Sequence, residues 1–160
     1  MIKKTSNLCF LLFLLFISGC GYKPILIGSD YDFSIKVENS IGNKDINTKI
    51  ENKIKILNGV KRTFKLDFAS KETKNILSKD SKGDPAILEI VINLNYKITE
   101  DSKVLVNRSL TQRSTYNNIS DKFELSKSEE ILKDNLIENL VSDIINSASN
   151  LILNPMINDN

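Results

Sequence analysis

The chain has no histidine. That removes the commonest general base at neutral pH and the commonest ligand of a catalytic metal. It also excludes Ser-His and Cys-His nucleophile pairs. Cysteine is scarce, with only Cys9 and Cys20. There is no Gly-rich phosphate loop and no HExxH. A pair of carboxylates is what remains for catalysis. Acidic residues are scattered among lysines as on a solvated surface, and Asp84, Glu89 and Asp101 have nothing to pair them. An excess of one charge is also missing, since 22 basic residues face 20 acidic ones. An anionic partner would need a local patch, and nothing points to nucleic acid. The expectation is a chain that is not an enzyme and takes no cofactor.

What is present begins at the start. Lys3 and Lys4 precede ten consecutive apolar or cysteine positions, Leu8 to Ile17. That is an n-region followed by an h-region, too short to span a bilayer, which takes about 20 residues. Ile17-Ser18-Gly19-Cys20 closes it and resembles the lipobox of bacterial lipoproteins. The resemblance implies cleavage before Cys20 and acylation of its thiol and its new amine. Several acyl chains on one residue make a firm tether. Gly21 stands where an Asp often retains lipoproteins in the inner membrane, so the outer membrane is implied. Removing residues 1–19 takes two lysines from the 22 basic residues and leaves 20 against 20 acidic. Cys20 is then the only cysteine, and no disulfide can form within the domain. The expected organisation is a signal peptide over 1–19, a lipidated tether over 20–30, one domain over 31–154, and a frayed tail over 155–160.

In the domain, Tyr31, Phe33, Ile35 and Val37 alternate with polar residues through Glu38, which predicts a half-buried strand. Residues 39–43 read as a turn or helix start. Ile46, Ile50, Ile54 and Leu57 share one helical face, with Asn58-Gly59 as the stop. Val60 to Ser70 alternates again. Lys71 to Pro85 reads as polar loop with room for a helical turn at Thr73–Leu77, ending in the turn residues Lys82-Gly83-Asp84-Pro85. Leu88, Ile90, Ile92, Leu94, Tyr96 and Ile98 form the clearest strand face. A hairpin loop at Glu100-Asp101-Ser102 leads to its partner, Lys103 to Tyr116. There Val104, Val106 and Leu110 share a face, and Arg108 falls on their parity, which places it at a bulge or an edge. Ser126-Lys127-Ser128-Glu129 reads as a capping box for an amphipathic helix from Ser128 to about Leu153. Its apolar residues, in rows from Leu132 to Ala148 and from Ile137 to Ile152, form a broad stripe. One side of that stripe can face a partner, or the whole can follow the drift of a long helix on its own sheet. The fold class that follows is α+β. A four-stranded, mostly antiparallel sheet forms a two-layer sandwich with two helices packed on one face.

The opening Ser18-Gly19-Cys20-Gly21-Tyr22-Lys23-Pro24, the element order, and Arg113-Ser114-Thr115-Tyr116-Asn117 leading to the last helix together resemble the LPS-assembly outer-membrane lipoprotein family (LptE-like). The resemblance implies a protein seated in the lumen of an outer-membrane β-barrel LPS-assembly protein. There it would act as plug and assembly factor and contact lipopolysaccharide. Lys97, Lys103, Arg108 and Arg113 gather around the third and fourth strands. Arginine binds phosphate in bidentate fashion, so these four are candidate contacts for lipopolysaccharide or the partner. Taken singly, each is also ordinary surface charge. Three other readings stay open: an accessory lipoprotein of another envelope machine (a secretin pilot or a barrel-assembly accessory), a free lipid-binding lipoprotein, and a two-carboxylate hydrolase.

Overall fold

Residues with alternating apolar side chains pair into one mixed sheet in the computed structural model of the chain, which describes residues 31–153. The signal peptide, Cys20, the tether and the tail lie outside the described residues. Strands β1 (Phe33–Gly42), β2 (Arg62–Lys79), β3 (Pro85–Glu100) and β4 (Lys103–Asn117) stand in the order β1-β2-β3-β4. β1 runs parallel to β2, and the other two pairings are antiparallel. Helix α1 (Lys44–Ile54) connects β1 to β2, and helix α2 (Lys122–Leu153) follows β4.

Both helices pack on one face. Phe64, Leu66 and Phe68 of β2 and the even-numbered residues Ile90 to Ile98 of β3 point into that layer. They meet Ile46, Ile50 and Ile54 of α1 and both apolar rows of α2, from Leu136 to Ala148. The broad stripe of α2 is therefore consumed by its own core. No helix among the described residues is long and apolar enough to cross a membrane.

Several boundaries differ from the sequence expectation. β1 continues through residues 39–42, read as a turn, because a register shift between Val37 and Asn39 lets Asn39 to Gly42 pair with Asp67 to Ser70. The chain can leave there only through Gly42, at φ +107°, where a Cβ would collide with the Ser70 carbonyl. Asn43 then caps α1, its Oδ1 accepting from Ile46 N at 3.2 Å. The polar stretch Lys71–Lys79 is strand, not loop or helical turn, and pairs with β3 back to Pro85. β3 is central and apolar on both faces here, so its ladder groups demand a partner on each side. Its polarity follows from its neighbours: Glu72 and Lys74 face Lys133 and Glu129 of α2.

The β3–β4 hairpin turns on two residues, Asp101 (φ 47°) and Ser102 (φ 69°), a twist that suits the flanking strands. A register shift beside Ile98/Thr99 places Thr99 opposite Val104 and Ile98 opposite Val106. The extra residue is Leu105, which packs on the core with Val106, while Val104 is exposed. Val104 therefore does not share the face expected of it. α2 starts at Lys122, not Ser128. Asp121 is its cap, with Oδ1 accepting from Phe123 N at 3.0 Å and Glu124 N at 3.1 Å. Asp121-Lys122-Phe123-Glu124 carries the same capping pattern one turn and a half earlier.

Candidate functional site

The long axis of the domain follows β2, about 55 Å from Arg62 to Lys79 at ~3.3 Å per residue. β1 and α1 cover only its first half, because Gly42 pairs no further along than Ser70. The two ends are built differently.

At the end where β1 begins, Arg62 is the fastener. It binds both carboxylate oxygens of Glu100 and gives a 3.0 Å bond to the Leu151 carbonyl near the end of α2. Its guanidinium also lies 4.9 Å over the Phe64 ring. The bond to Glu100 raises the pKa of Arg62 and lowers that of Glu100 against the opposing effect of burial. The loop Lys55–Lys61 lies beside the start of β1. Gly59 N donates to Phe33 O at 3.1 Å and Lys61 N to Asp32 O at 3.0 Å.

At the far end stand the β2–β3 turn and the first turns of α2. Asp80 organises the turn, with Oδ1 accepting from Lys82 N and Asp84 N, both at 2.9 Å. Tyr116 donates to Glu129 Oε1 at 2.6 Å, and Lys74 bonds the other oxygen. Burial would keep Glu129 protonated, but Lys74 and Tyr116 together outweigh it and lower its pKa. Burial first, and then the Glu129 carboxylate, push the Tyr116 phenol well above its ordinary value. Around this latch Ile76, Leu77, Ile87, Ile119 and Phe123 are exposed. They group by topology: Ile76 and Leu77 face the Ile87–Leu88 stretch of β3, and Asn118 N bonds Ala86 O just before Ile119. Scattered exposed apolar residues are ordinary, but five large ones gather at this end as an apolar tip that takes in both faces of the sheet, Ile76 on the helix side and Ile87 on the open side.

The four basic candidates do not gather at one point. Lys97 and Arg113 share the open face of the sheet, level with Asp67 and Val91 respectively, and so roughly 20 Å apart along the strands. Arg113 leans on the buried Glu89 at 3.9 Å, which also accepts from Asn75 at 3.0 Å. Arg108 is opposite Tyr96 on the helix side, exposed on the outer strand, so the edge rather than the bulge explains its parity. Lys103 stands at the hairpin, opposite Glu100. Three of the four lie on β4, an edge strand with no acidic residue. Basic side chains there also discourage unwanted strand pairing. Lys71, read from the sequence as loop and not as a site candidate, stands exposed on the open face opposite Asn93. The signal for it was the doubly apolar β3, which required a long β2.

No family model matches the chain, and no curated protein does. Solved structures do. Rare lipoprotein B from Shewanella oneidensis has a TM-score of 0.57 at 13% identity, over 76% of this chain and 96% of that one. A minor lipoprotein from Acinetobacter baumannii has 0.51 at 14%, over 74% and 91%. Uncharacterized lipoprotein B from Nitrosomonas europaea has 0.50 at 16%, over 78% and 87%. At such identities the likeness is one of fold, and it takes in nearly the whole of each relative.

Proposed function

We propose that this chain is a lipid-anchored outer-membrane protein of the LPS-assembly lipoprotein family. In this reading it plugs and helps assemble the β-barrel translocon that carries lipopolysaccharide to the cell surface, and it works by binding rather than catalysis. One observation carries the reading: a domain with the fold of rare lipoprotein B follows directly on a lipobox ending in Cys20. The two-ended build supports it. The tether enters beside Arg62, and the patch of Ile76, Leu77, Ile87, Ile119 and Phe123 lies at the opposite end. A partner that encloses the domain would cover that patch. Lys97, Lys71 and Arg113 on the open face are the basic groups offered to phosphate, with Arg108 and Lys103 along the outer edge.

A mild-detergent pull-down of the tagged protein from its own outer membrane tests this. The expected result is a roughly stoichiometric β-barrel of the LPS-export type, lost when Leu77 and Phe123 are replaced by Asp. Recovery with a secretin, or with no barrel, overturns the translocon assignment. Intact mass of the purified protein tests the anchor separately, by the presence of acyl chains on Cys20.

A further inference from the structure

We propose that the end of the domain where the tether enters is a second membrane contact, and that its loop Lys55–Lys61 rests on the anionic phospholipid leaflet holding the anchor. The inference rests on the lipoprotein reading of Cys20 and concerns the protein before a partner encloses it. Val60 is 94% exposed, and Ile56 (61%) and Leu153 (74%) accompany it. This exposure is built into the fold. Backbone bonds from Gly59 and Lys61 to Phe33 and Asp32 clamp the loop on both sides of Val60. At Gly59 a Cβ would collide with the backbone of Tyr31 to Phe33. The residue between the two clamps is thus held outward, immediately beside the point where the chain from Cys20 arrives. Leu153 is close because Arg62, two residues after Val60, bonds the carbonyl of Leu151.

Reach and charge select the occupant. Residues 20–30 span at most about 40 Å when fully extended, less than the length of β2. The leaflet is therefore held within about 40 Å of this end, while the other end can stand farther off. A short tether of that kind gives the loop a high effective concentration at the surface. From Asn52 to Leu66 the sequence has five basic residues and no acidic one. Lys61, Arg62 and Lys65 are answered by Asp32, Glu100 and Glu38. Lys53 and Lys55 have no ion pair among the described residues, and the exposed Ile56 and Val60 lie between Lys55 and Lys61. Apolar tips between lysines match the interface of an anionic bilayer.

The chain has no tryptophan, so a single introduced one reports its own surroundings. The processed chain, residues 20–160, carries V60W or, at the far turn, K82W. Cys20 is coupled through its thiol to a maleimide phospholipid in phosphatidylethanolamine–phosphatidylglycerol vesicles. The measurement then does not depend on acylation in the cell, which the intact mass reports independently. The expected result is a blue shift of V60W on tethering, quenching by brominated acyl chains, and a smaller shift in phosphatidylcholine vesicles, with K82W unchanged. The proposal is overturned if V60W keeps its water-exposed emission, or if K82W shifts as much. I56W, read in the same way, repeats the test should V60W misfold.

Discussion

Replacing Tyr116 with Phe deletes one oxygen from the far-end latch and leaves the ring. Tyr116 is 8% exposed, and its phenol donates to Glu129 at 2.6 Å. Glu129 has a side-chain exposure of 18% and keeps Lys74 as its other partner. A hydrogen bond to a charged acceptor contributes about 1.5–3 kcal/mol. Lys74 and water take up part of the vacated valence, so Y116F should destabilise by about 1.5–2 kcal/mol at pH 7. The sign of the pH dependence follows from the shifts. The pKa of Glu129 is lowered in the folded state, so its stabilisation is present above the unfolded carboxylate value and is lost as pH falls through the folded one. Below that range the bond is neutral and contributes about half as much. The penalty of Y116F must shrink accordingly as pH falls below the ordinary carboxylate value of 4.5 and through the lower folded one. The raised pKa of Tyr116 acts at the other extreme. Above the ordinary phenol value of 10.0 the unfolded chain ionises first, so the wild type loses stability there, and Y116F lacks that loss. Urea unfolding followed by circular dichroism across this range measures all three arms. A penalty below about 0.5 kcal/mol at pH 7, or one that does not change on acidification, would refute the assignment of Tyr116 and Glu129 as a charged latch.

Ser102→Gly should stabilise by about 0.5–1 kcal/mol in thermal unfolding, because Ser102 holds φ 69° at a cost that glycine avoids. Arg62→Met should cost about 1–2 kcal/mol at pH 7, since it strands Glu100 in a half-buried pair and frees the Leu151 carbonyl. That cost should fade on acidification through the lowered pKa of Glu100, which urea titrations at two pH values can read. Leu140→Ala, at a site with no exposure, should cost roughly 2–5 kcal/mol through lost burial and a cavity, measured by the urea midpoint.

The parts of the fold that a sequence can reveal are those where one side chain's burial decides its own element. β3 was legible because six alternating residues from Leu88 to Ile98 share a face. The core rows of α2 were legible because Leu136, Leu140 and Ile144 recur at helical spacing. Lys71 to Lys79 was not, because only Thr73 and Ile76 in that stretch favour a strand and they do not alternate with other apolar residues. Its conformation is imposed by the open ladder of β3, and its polarity by Lys133 and Glu129 on a helix more than fifty residues away. Val104 was misassigned for a different reason. A single extra residue at Leu105 reverses facing from that point on, and alternation alone carries no mark of a bulge. The start of α2 was misplaced because Asp121 and Ser126 offer the same capping chemistry, and it is Asp121 Oδ1 that accepts from the first-turn amides of Phe123 and Glu124. The far-end patch inherited both errors. Ile76 and Leu77 stood in a supposed loop, and Phe123 lay ahead of the supposed helix.

Two of these corrections share a direction, since each lengthens an element. Strand β2 gains its second half, and α2 gains six residues at its start, to reach 32 residues or about 48 Å. A helix of that length over a sheet half-covered by α1 needs fastening along its course. It is fastened at intervals: to Lys74 and Tyr116 through Glu129, to Glu72 through Lys133, to Lys49 of α1 through Asp134 at 2.8 Å, and to Arg62 through the Leu151 carbonyl. Fully buried apolar residues begin only at Leu136, with Leu125 and Leu132 ahead of it partly buried against the core. The polar fasteners therefore hold the first third of α2, which carries Phe123, in line with the far end of the sheet. Releasing them would leave the core of the near half intact and let the far end swing free. Y116F combined with Lys74→Met should for that reason weaken capture of a barrel partner by more than its effect on global stability accounts for. An equal loss in both would mean that the domain unfolds as one unit and that the latch has no separate part in positioning the far end.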